Sequence, residues 1–189
     1  MAHDPRQTVI DFLSAPLSAP ERSLSIVSDA KTRIGAMYTD GGVGAVPATI
    51  RILKERTVPL HYASLIAFED VHGQAWEFAC FAVQEGQHNW VFKGGGSVSQ
   101  KNVESQPHVN LAGGWAEGGF FAGGRVVNTN GTNITRVDIL SVDALLFDDT
   151  VDDGRVLFVT DREDIFAPVR ALLYDSSGTL VNSHIVFGL

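Results

Sequence analysis

The sequence predicts a mainly β protein, an antiparallel β-sandwich or meander with one or two short helices at its N-terminus. From about residue 49, short runs of apolar, β-branched and aromatic residues recur, and turn residues such as Asp153-Gly154 and Ser177-Gly178 separate them. Long helical patterns do not alternate with these runs, so a parallel α/β sheet is not expected. A chain of 189 residues with one cysteine is long enough to fold by packing alone, without a disulfide. An α+β arrangement is the alternative.

The N-terminal segment predicts a short helix. Asp4 can accept a hydrogen bond from a free N–H group of the first turn, and Pro5 suits the first helical position. Pro16 and Pro20 end the helix because proline cannot continue it. The following segment, 21–38, fits a helix and a strand equally well. The apolar stripe of the helix consists of Val9, Phe12 and Leu13.

Two strands differ in what is expected to cover them. The run 76–83 is apolar at both odd and even positions, so it predicts a central strand that is covered on both faces. The run 135–139 alternates instead, with Val137 and Ile139 directed inward. Its polar residues, Arg136 and Asp138, are expected to face water, which is typical of an antiparallel sheet with one solvated face.

The chain divides loosely in composition. Residues 1–93 are expected to form a helix and a β-meander, and residues 94–112 a loop of glycine and polar residues that begins with the flexible Gly94–Gly96. Residues 113–189 would form a glycine-rich strand and a sandwich-like meander. A single domain that contains the whole chain is the alternative.

The C-terminal part resembles bacterial Ig-like or fibronectin-like β-sandwich modules. The resemblance rests on the alternating run 135–139, the Asp153-Gly154 turn, and the stretches 156–158 and 172–178. It covers residues 134–187, under a third of the chain. The Cys–Trp–Cys core of antibody domains is missing, and the resemblance implies no functional residue.

The charge of the chain narrows the range of partners. The formal net charge is −8, and −6 of it lies in residues 101–189. This acidity argues against nucleic acid or an anionic membrane as a partner. No apolar run reaches the about 20 residues that a membrane helix needs. No secretory signal is recognised, so a cytoplasmic location is expected, or an extracytoplasmic one if a signal was removed.

The most unusual segment is the glycine-rich run 113–124, in which pairs of glycines recur around aromatic residues. Nine of the 19 glycines lie between residues 94 and 124. Glycine inside a strand marks a bulge, a bend or a close approach by another group. Aromatic rings beside such a backbone could form a stacking surface for a planar or sugar-like ligand. The alternative is a bent core strand. The predicted ligand-binding residues are Trp115, Glu117, Phe120 and Phe121.

Metal binding has little support in the sequence. The acidic stretch 147–154 offers oxygen ligands to a cation such as calcium, but its spacing does not match an EF-hand, and Asp-Gly favours a hairpin turn. The six histidines show no metal-binding spacing. No metal and no cofactor are therefore predicted.

Catalytic motifs are also lacking. A Gly-x-Ser-x-Gly elbow does not occur, and Cys80 lies mid-strand between aromatic residues, as expected of a buried, inert thiol. A glycosidase pair could be drawn from several carboxylates, none of which stands out. These carboxylates are Glu69, Asp70, Glu77 and Glu117.

The sequence therefore favours a non-catalytic binding or interaction module over an enzyme. Its partner would be a protein, a second copy of the chain included, or a small-molecule ligand. The alternative is a small-molecule enzyme in which His61, His88 or His108 acts as acid or base. A concave site that gathers a histidine, a carboxylate and Trp115 would favour the enzyme. A flat apolar patch would favour association.

Overall fold

The computed structural model describes residues 4–15, 37–38, 43–86, 89–99, 105–142, 144–162 and 164–188. The described chain forms one α-helix and three antiparallel sheets, so the prediction of a mainly β fold is confirmed. The helix is α1 (Pro5–Ser14), and a single 3₁₀ turn spans Pro47–Thr49. The strands are β1 (Met37–Tyr38), β2 (Arg51–Val58), β3 (His61–Glu69), β4 (Ala75–Glu85), β5 (Asn89–Ser97), β6 (His108–Ala116), β7 (Gly119–Val127), β8 (Ile134–Ser141), β9 (Ala144–Thr150), β10 (Arg155–Thr160), β11 (Val169–Asp175) and β12 (Leu180–Phe187).

Helix α1 begins as the sequence predicts. The Asp4 side chain accepts a hydrogen bond from the backbone N–H of Arg6 at 3.0 Å, and Pro5 occupies the first turn. Val9 and Leu13 are fully buried against the first sheet. The ambiguous segment 21–38 lies outside the described residues except for β1.

The first sheet has the strand order β1-β5-β4-β3-β2. Strand β4 lies in its middle and is covered on both faces, which confirms the prediction for 76–83. Phe78 and Cys80 pack in the cluster that includes α1, whereas Ala79 and Phe81 pack on the opposite face. Because side chains alternate along a strand, one apolar run serves two layers of the protein.

The expectation of a loop at Gly94–Gly96 is wrong. These glycines are buried within β5, and Gly95 pairs with Cys80 of β4. A Cβ added at Gly95 would lie 2.7 Å from a ring carbon of Phe78. Gly95 therefore makes room for a neighbouring aromatic ring instead of giving the chain flexibility.

The central sheet has the order β10-β7-β6 and lies between the other two sheets. Phe121 of β7 packs toward the first sheet, and Phe120 packs toward the third. A Cβ added at Gly123 would lie 2.8 Å from Leu157, and one added at Gly124 would overlap the backbone oxygen of Asn110. The glycines of this segment allow close approach inside a sheet that is buried on both faces.

The third sheet has the order β12-β11-β8-β9. Val137 and Ile139 of β8 are buried and Arg136 is exposed, as predicted. Asp138 was expected to face water but is buried. The reason is that Arg136 covers Asp138. The Arg136 Nε lies 2.9 Å from an Asp138 oxygen, and its guanidinium lies over the ring of Tyr174.

The predicted division of the chain falls inside strands. Residues 93 and 94 are both in β5, and residues 112 and 113 are both in β6. The segment 134–187 supplies the four strands of the third sheet, but its strand β10 belongs to the central sheet. The first and third sheets pack on opposite faces of the central sheet.

Candidate functional site

The structure separates the aromatic residues of the glycine-rich segment. Phe120 and Phe121 have no exposed surface and lie in the cores on opposite faces of the central sheet. Trp115 is 40% exposed, and its ring packs edge-on against Phe120 and Phe187. The three rings therefore do not form one stacking surface.

The polar groups of Trp115 and of nearby Glu117 are bonded to the protein itself. The indole Nε1 of Trp115 donates a hydrogen bond to the backbone oxygen of Ile165 at 2.7 Å. Glu117, in the turn between β6 and β7, is exposed and lies 2.9 Å from the Nζ of Lys93. Ligand binding by Trp115 and Glu117 stays a prediction, without Phe120 and Phe121 as stacking partners.

The two candidate acid–base histidines that the structure describes, His61 and His108, do not converge. His61 lies at the start of β3, where its Nδ1 is 2.7 Å from the backbone oxygen of Pro59, and its Nε2 lies near Gly118. His108 begins β6, whereas Gly118 follows the end of that strand, so the two rings are at opposite ends of the central sheet. His88 lies outside the described residues. Within the described chain, no three metal-binding side chains form a group that could hold an ion.

Of the four carboxylates named in the sequence analysis, Asp70 is bonded within the turn that follows β3. One of its oxygens accepts hydrogen bonds from the backbone N–H groups of His72 and Gln74, and the other accepts one from the indole of Trp76. These bonds lower the pKa of Asp70, the Trp76 indole having the largest effect. Asp70 therefore fixes the turn between β3 and β4.

The acidic stretch 147–154 belongs to β9 and the turn that follows it. Asp153 and Gly154 both have positive φ, at 45° and 69°, as in the two-residue hairpin turn that Asp-Gly favours. Within this stretch, Asp149 is buried and bonded to cations of the first sheet. The turn at Asp153-Gly154 agrees with the sequence prediction, whereas the ion pairs of Asp149 join distant strands and could not be predicted.

A cleft of ≈ 490 Å³ opens between the first and the central sheet, at the end where β4 begins. Ala67 and Ala75 leave space there, because their small side chains lie on the faces of β3 and β4 that carry Leu65 and Phe81 deeper in the core. We call this the inter-sheet cleft. Its lining residues are Ala48, Thr49, Arg51, Leu53, Ala67, Phe68, Glu69, Ala75, Trp76 and Glu77 from the side of the first sheet, and Arg125, Asp153 and Arg155 from the side of the central sheet.

Glu77 is the central polar group of the inter-sheet cleft. It is 3% exposed, and strand alternation places it on the same face of β4 as Ala79 and Phe81. Its Oε1 accepts hydrogen bonds from Arg155 at 2.7 and 3.1 Å, and its Oε2 accepts one from the Nε of Arg125. Two strands of the central sheet thus supply the cations for one carboxylate of the first sheet.

The electrostatics of Glu77 follow from this geometry. Burial raises the pKa of Glu77, but the hydrogen bonds and positive charges of Arg125 and Arg155 outweigh burial and bring its pKa below the ordinary value. The same bond to Glu77 raises the pKa of Arg125. Glu77 is therefore held as a carboxylate between two guanidinium groups.

The arginines of the cleft differ in how many of their N–H donors are bonded within the protein. All three nitrogens of the Arg155 guanidinium are bonded, because its Nη1 also donates to the backbone oxygen and the carboxylate of Asp153. Arg125 uses its Nε on Glu77, and within the described chain its Nη groups make no ion pair. Arg51 is exposed and has no ion-pair partner in the described residues. Donor groups of Arg51 and Arg125 are thus open to a ligand.

A second buried carboxylate, that of Asp149, lies where β2 meets β9 and β10. A bulge in β2 between Ile52 and Lys54 changes the face on which the following residues lie, so that Lys54 and Arg56 point toward β9. Their cations lie 2.6 and 2.8 Å from the carboxylate of Asp149. Lys54 also donates to the backbone oxygen of Thr150 at 2.8 Å. This junction holds β2 against the strands that carry the arginines.

Sequence reasoning missed the arginines of the cleft. Glu77 is one of several candidate carboxylates in the sequence, and its signal is that it is the only charged residue in the apolar run 76–83. Arg125 and Arg155 lie 48 and 78 residues away, and nothing near them in the sequence marks them. Their convergence depends on strand order and on the packing of two sheets.

Among the described residues, no helix is long and apolar enough to cross a lipid bilayer. The resemblance of residues 134–187 to Ig-like or fibronectin-like modules stays a prediction. No family model, no curated protein and no solved structure matches the chain.

Proposed function

We propose that the protein is a non-catalytic binding module that takes a small ligand into the inter-sheet cleft. The observation that supports this most directly is the set of guanidinium groups around Glu77, in a concavity that also has an apolar wall. Ligand sites commonly combine an apolar lining with a few fixed polar groups. A volume of ≈ 490 Å³ lies within the about 300–1,000 Å³ usual for such sites.

The state of Glu77 supports binding over acid–base catalysis. A general acid or base works best when its pKa lies near the working pH. The paired arginines instead hold the pKa of Glu77 below its ordinary value, and no histidine is among the residues that line the cleft. The polar groups are suited to hold and orient a ligand.

The ion pairs of Glu77 also have a purely structural interpretation. They join the first and central sheets, and such pairs occur without any ligand. Arg51 favours a site, because it lines the same cleft and has no ion-pair partner in the described chain. Ion pairs that only join the two sheets would not require Arg51.

The proposal is tested by an NMR screen of the isotope-labelled full chain against a library of charged and neutral small molecules. Binding compounds should shift the backbone signals of the cleft strands, notably those of Ala67, Ala75 and Arg125. Ala67→Leu should abolish these shifts because it fills the cleft. Ala144→Leu, at an exposed position of β9, is the matched control. The proposal is overturned if no compound perturbs the cleft, or if Ala67→Leu binds the same compounds as the control does.

A further inference from the structure

We infer that the ligand of the inter-sheet cleft carries a carboxylate on a short apolar chain, with Arg51 and Arg125 as the groups that recognise the carboxylate. This inference rests on the proposed function and gives it a chemical class. It follows from the open donors, the charges and the apolar wall of the cleft.

The open donors favour a planar anion. Arginine presents its N–H groups in a rigid fork that matches the two oxygens of a carboxylate. The Nε edge of Arg125 is already used by Glu77, which orients the guanidinium and leaves the Nη groups available. Arg51 enters the cleft from β2, on the side of the first sheet. A carboxylate between these two arginines would have donors from both sheets.

The charges that line the cleft favour a ligand with one negative charge over a ligand with two. Three arginines line the cleft, and Glu77 and Asp153 are bonded to two of them. Glu69 also lines the cleft and is exposed. The lining is therefore formally balanced, and a doubly charged phosphate would bring excess negative charge close to Glu69 and Glu77. A single carboxylate can be accommodated because Glu69 remains in contact with water.

The apolar residues of the cleft indicate that the rest of the ligand is apolar. Leu53, Ala67 and Ala75 line the cleft beside the charged groups. Leu53 packs against the core between the first and central sheets, so the wall continues into buried apolar surface. A short hydrocarbon chain attached to the carboxylate would cover this wall.

Two sources could supply such a ligand: a simple carboxylic acid and an amino acid with an apolar side chain. Both present the same carboxylate. They differ in that the amino acid adds an ammonium group, for which Glu69 is a partner of opposite charge. Hexanoate and norleucine represent the two sources at matched chain length.

The test is a calorimetric and NMR titration of the full chain with hexanoate, norleucine, hexanamide, hexylamine and inorganic phosphate at constant ionic strength. Hexanoate or norleucine should bind in the cleft at least about tenfold more tightly than hexanamide, which lacks the charge. If hexanoate binds more tightly than norleucine, the ligand is a simple carboxylic acid. If norleucine binds more tightly, the ligand is an amino acid. Hexylamine and phosphate should bind more weakly than both.

The recognising residues are tested with Arg51→Gln, and Arg170→Gln on β11 is the matched control because Arg170 is also an exposed strand arginine. Arg51→Gln should weaken binding of the carboxylate by about tenfold and leave hexanamide unchanged. Arg170→Gln should leave both unchanged. Because Arg51 makes no ion pair within the described chain, Arg51→Gln should fold like the wild type.

Several results would overturn the inference. Equal binding of hexanamide would show that charge is not recognised, although the cleft would still be a binding site. Tighter binding of phosphate would show the wrong class of anion. If none of these probes binds, the carboxylate class is wrong, and the library screen decides separately whether the cleft binds any ligand.

Discussion

The carboxylate of Asp149 lies 2.6 Å from the Nζ of Lys54, and this ion pair joins the third sheet to the first. The same carboxylate oxygen accepts a hydrogen bond of 2.8 Å from the backbone N–H of Leu157, in the central sheet. Its other oxygen lies 2.8 Å from an Nη of Arg56. One side chain that is 5% exposed thus contacts all three sheets at the side where β2, β9 and β10 meet.

Replacement of Asp149 should be among the most destabilising polar substitutions. Asp149→Asn keeps the shape but removes the charge, so that Lys54 and Arg56 lose their shared partner. We expect the free energy of unfolding to fall by about 3–5 kcal/mol, as when one partner of a buried ion pair is removed. Urea titration measures this. Asp148→Asn is the control, because Asp148 is the exposed neighbour on the same strand. Equal effects of the two substitutions would contradict the role of Asp149.

Glu77 should contribute to the acid sensitivity of the protein. Its pKa is lower in the folded protein than in the unfolded chain, where it is about 4.5. Its stabilising contribution is therefore complete above about pH 4.5 and is lost as the pH falls through the lower, folded pKa. Glu77→Gln should be less stable at neutral pH and should lose less stability than the wild type between pH 5 and pH 3.

The measurement for Glu77 is the midpoint of urea unfolding at a series of pH values. Asp148→Asn, at an exposed position of β9, is the control and should change this midpoint at each pH by less than Glu77→Gln does. A Glu77→Gln profile parallel to that of the wild type would show that Glu77 does not titrate differently in the two states.

The glycines of the central sheet should not tolerate a side chain. Gly124→Ala places a methyl group against the backbone oxygen of Asn110, and a backbone atom cannot move away without breaking strand pairing. We expect a loss of about 3 kcal/mol or more in the free energy of unfolding. Thermal unfolding followed by circular dichroism measures this loss.

Gly131→Ala is the control for the glycine prediction. Gly131 has φ of 74° and no atom within 4 Å of an added Cβ, so the cost comes from the backbone conformation alone. This cost should be about 1–2 kcal/mol. A Gly124→Ala variant as stable as Gly131→Ala would contradict close packing in the central sheet.

Substitutions of Trp115 distinguish a structural role of its ring from a ligand-binding role. If its ring serves the core, Trp115→Ala should lower stability by about 2–3 kcal/mol, since contacts with Phe120 and Phe187 are lost. Trp115→Phe should cost about 1 kcal/mol, because it loses mainly the hydrogen bond to Ile165. An unchanged Tm in Trp115→Ala, together with loss of ligand binding, would instead establish the predicted binding role.

Cys80 should be chemically inert in the folded protein. It is fully buried in β4, and burial raises the pKa of its thiol far above neutral pH, whereas the thiolate is the reactive form. An aromatic disulfide reagent should modify no thiol in native buffer and one thiol per chain in denaturant. Rapid modification of the native protein would show that β4 opens.

The sequence was most informative where a pattern is local. The apolar run of β4 predicts its own position because every residue in it must be covered, and Asp4-Pro5 predicts the start of α1 through contacts within a single turn. The Asp153-Gly154 turn is similarly local. These features need no knowledge of the rest of the chain.

Features that depend on distant pairing could not be predicted. Gly94–Gly96 suggest a loop by composition, and only the ring of Phe78 explains why glycine lies in a buried strand. The cleft arginines, Arg125 and Arg155, meet Glu77 only after two sheets have stacked. Likewise, Phe120 and Phe121 are adjacent in sequence and yet belong to different cores.

The strand order of the central sheet also has a consequence for synthesis on the ribosome. The first sheet is complete at Ser97, but β10, which packs on β2 and β3 and brings Leu157 next to Leu65, ends at Thr160. The nascent chain must therefore carry an unfinished apolar face while more than sixty further residues are translated. Chains that stop before β10 should accordingly aggregate or engage chaperones, because vectorial synthesis delivers the covering strand late.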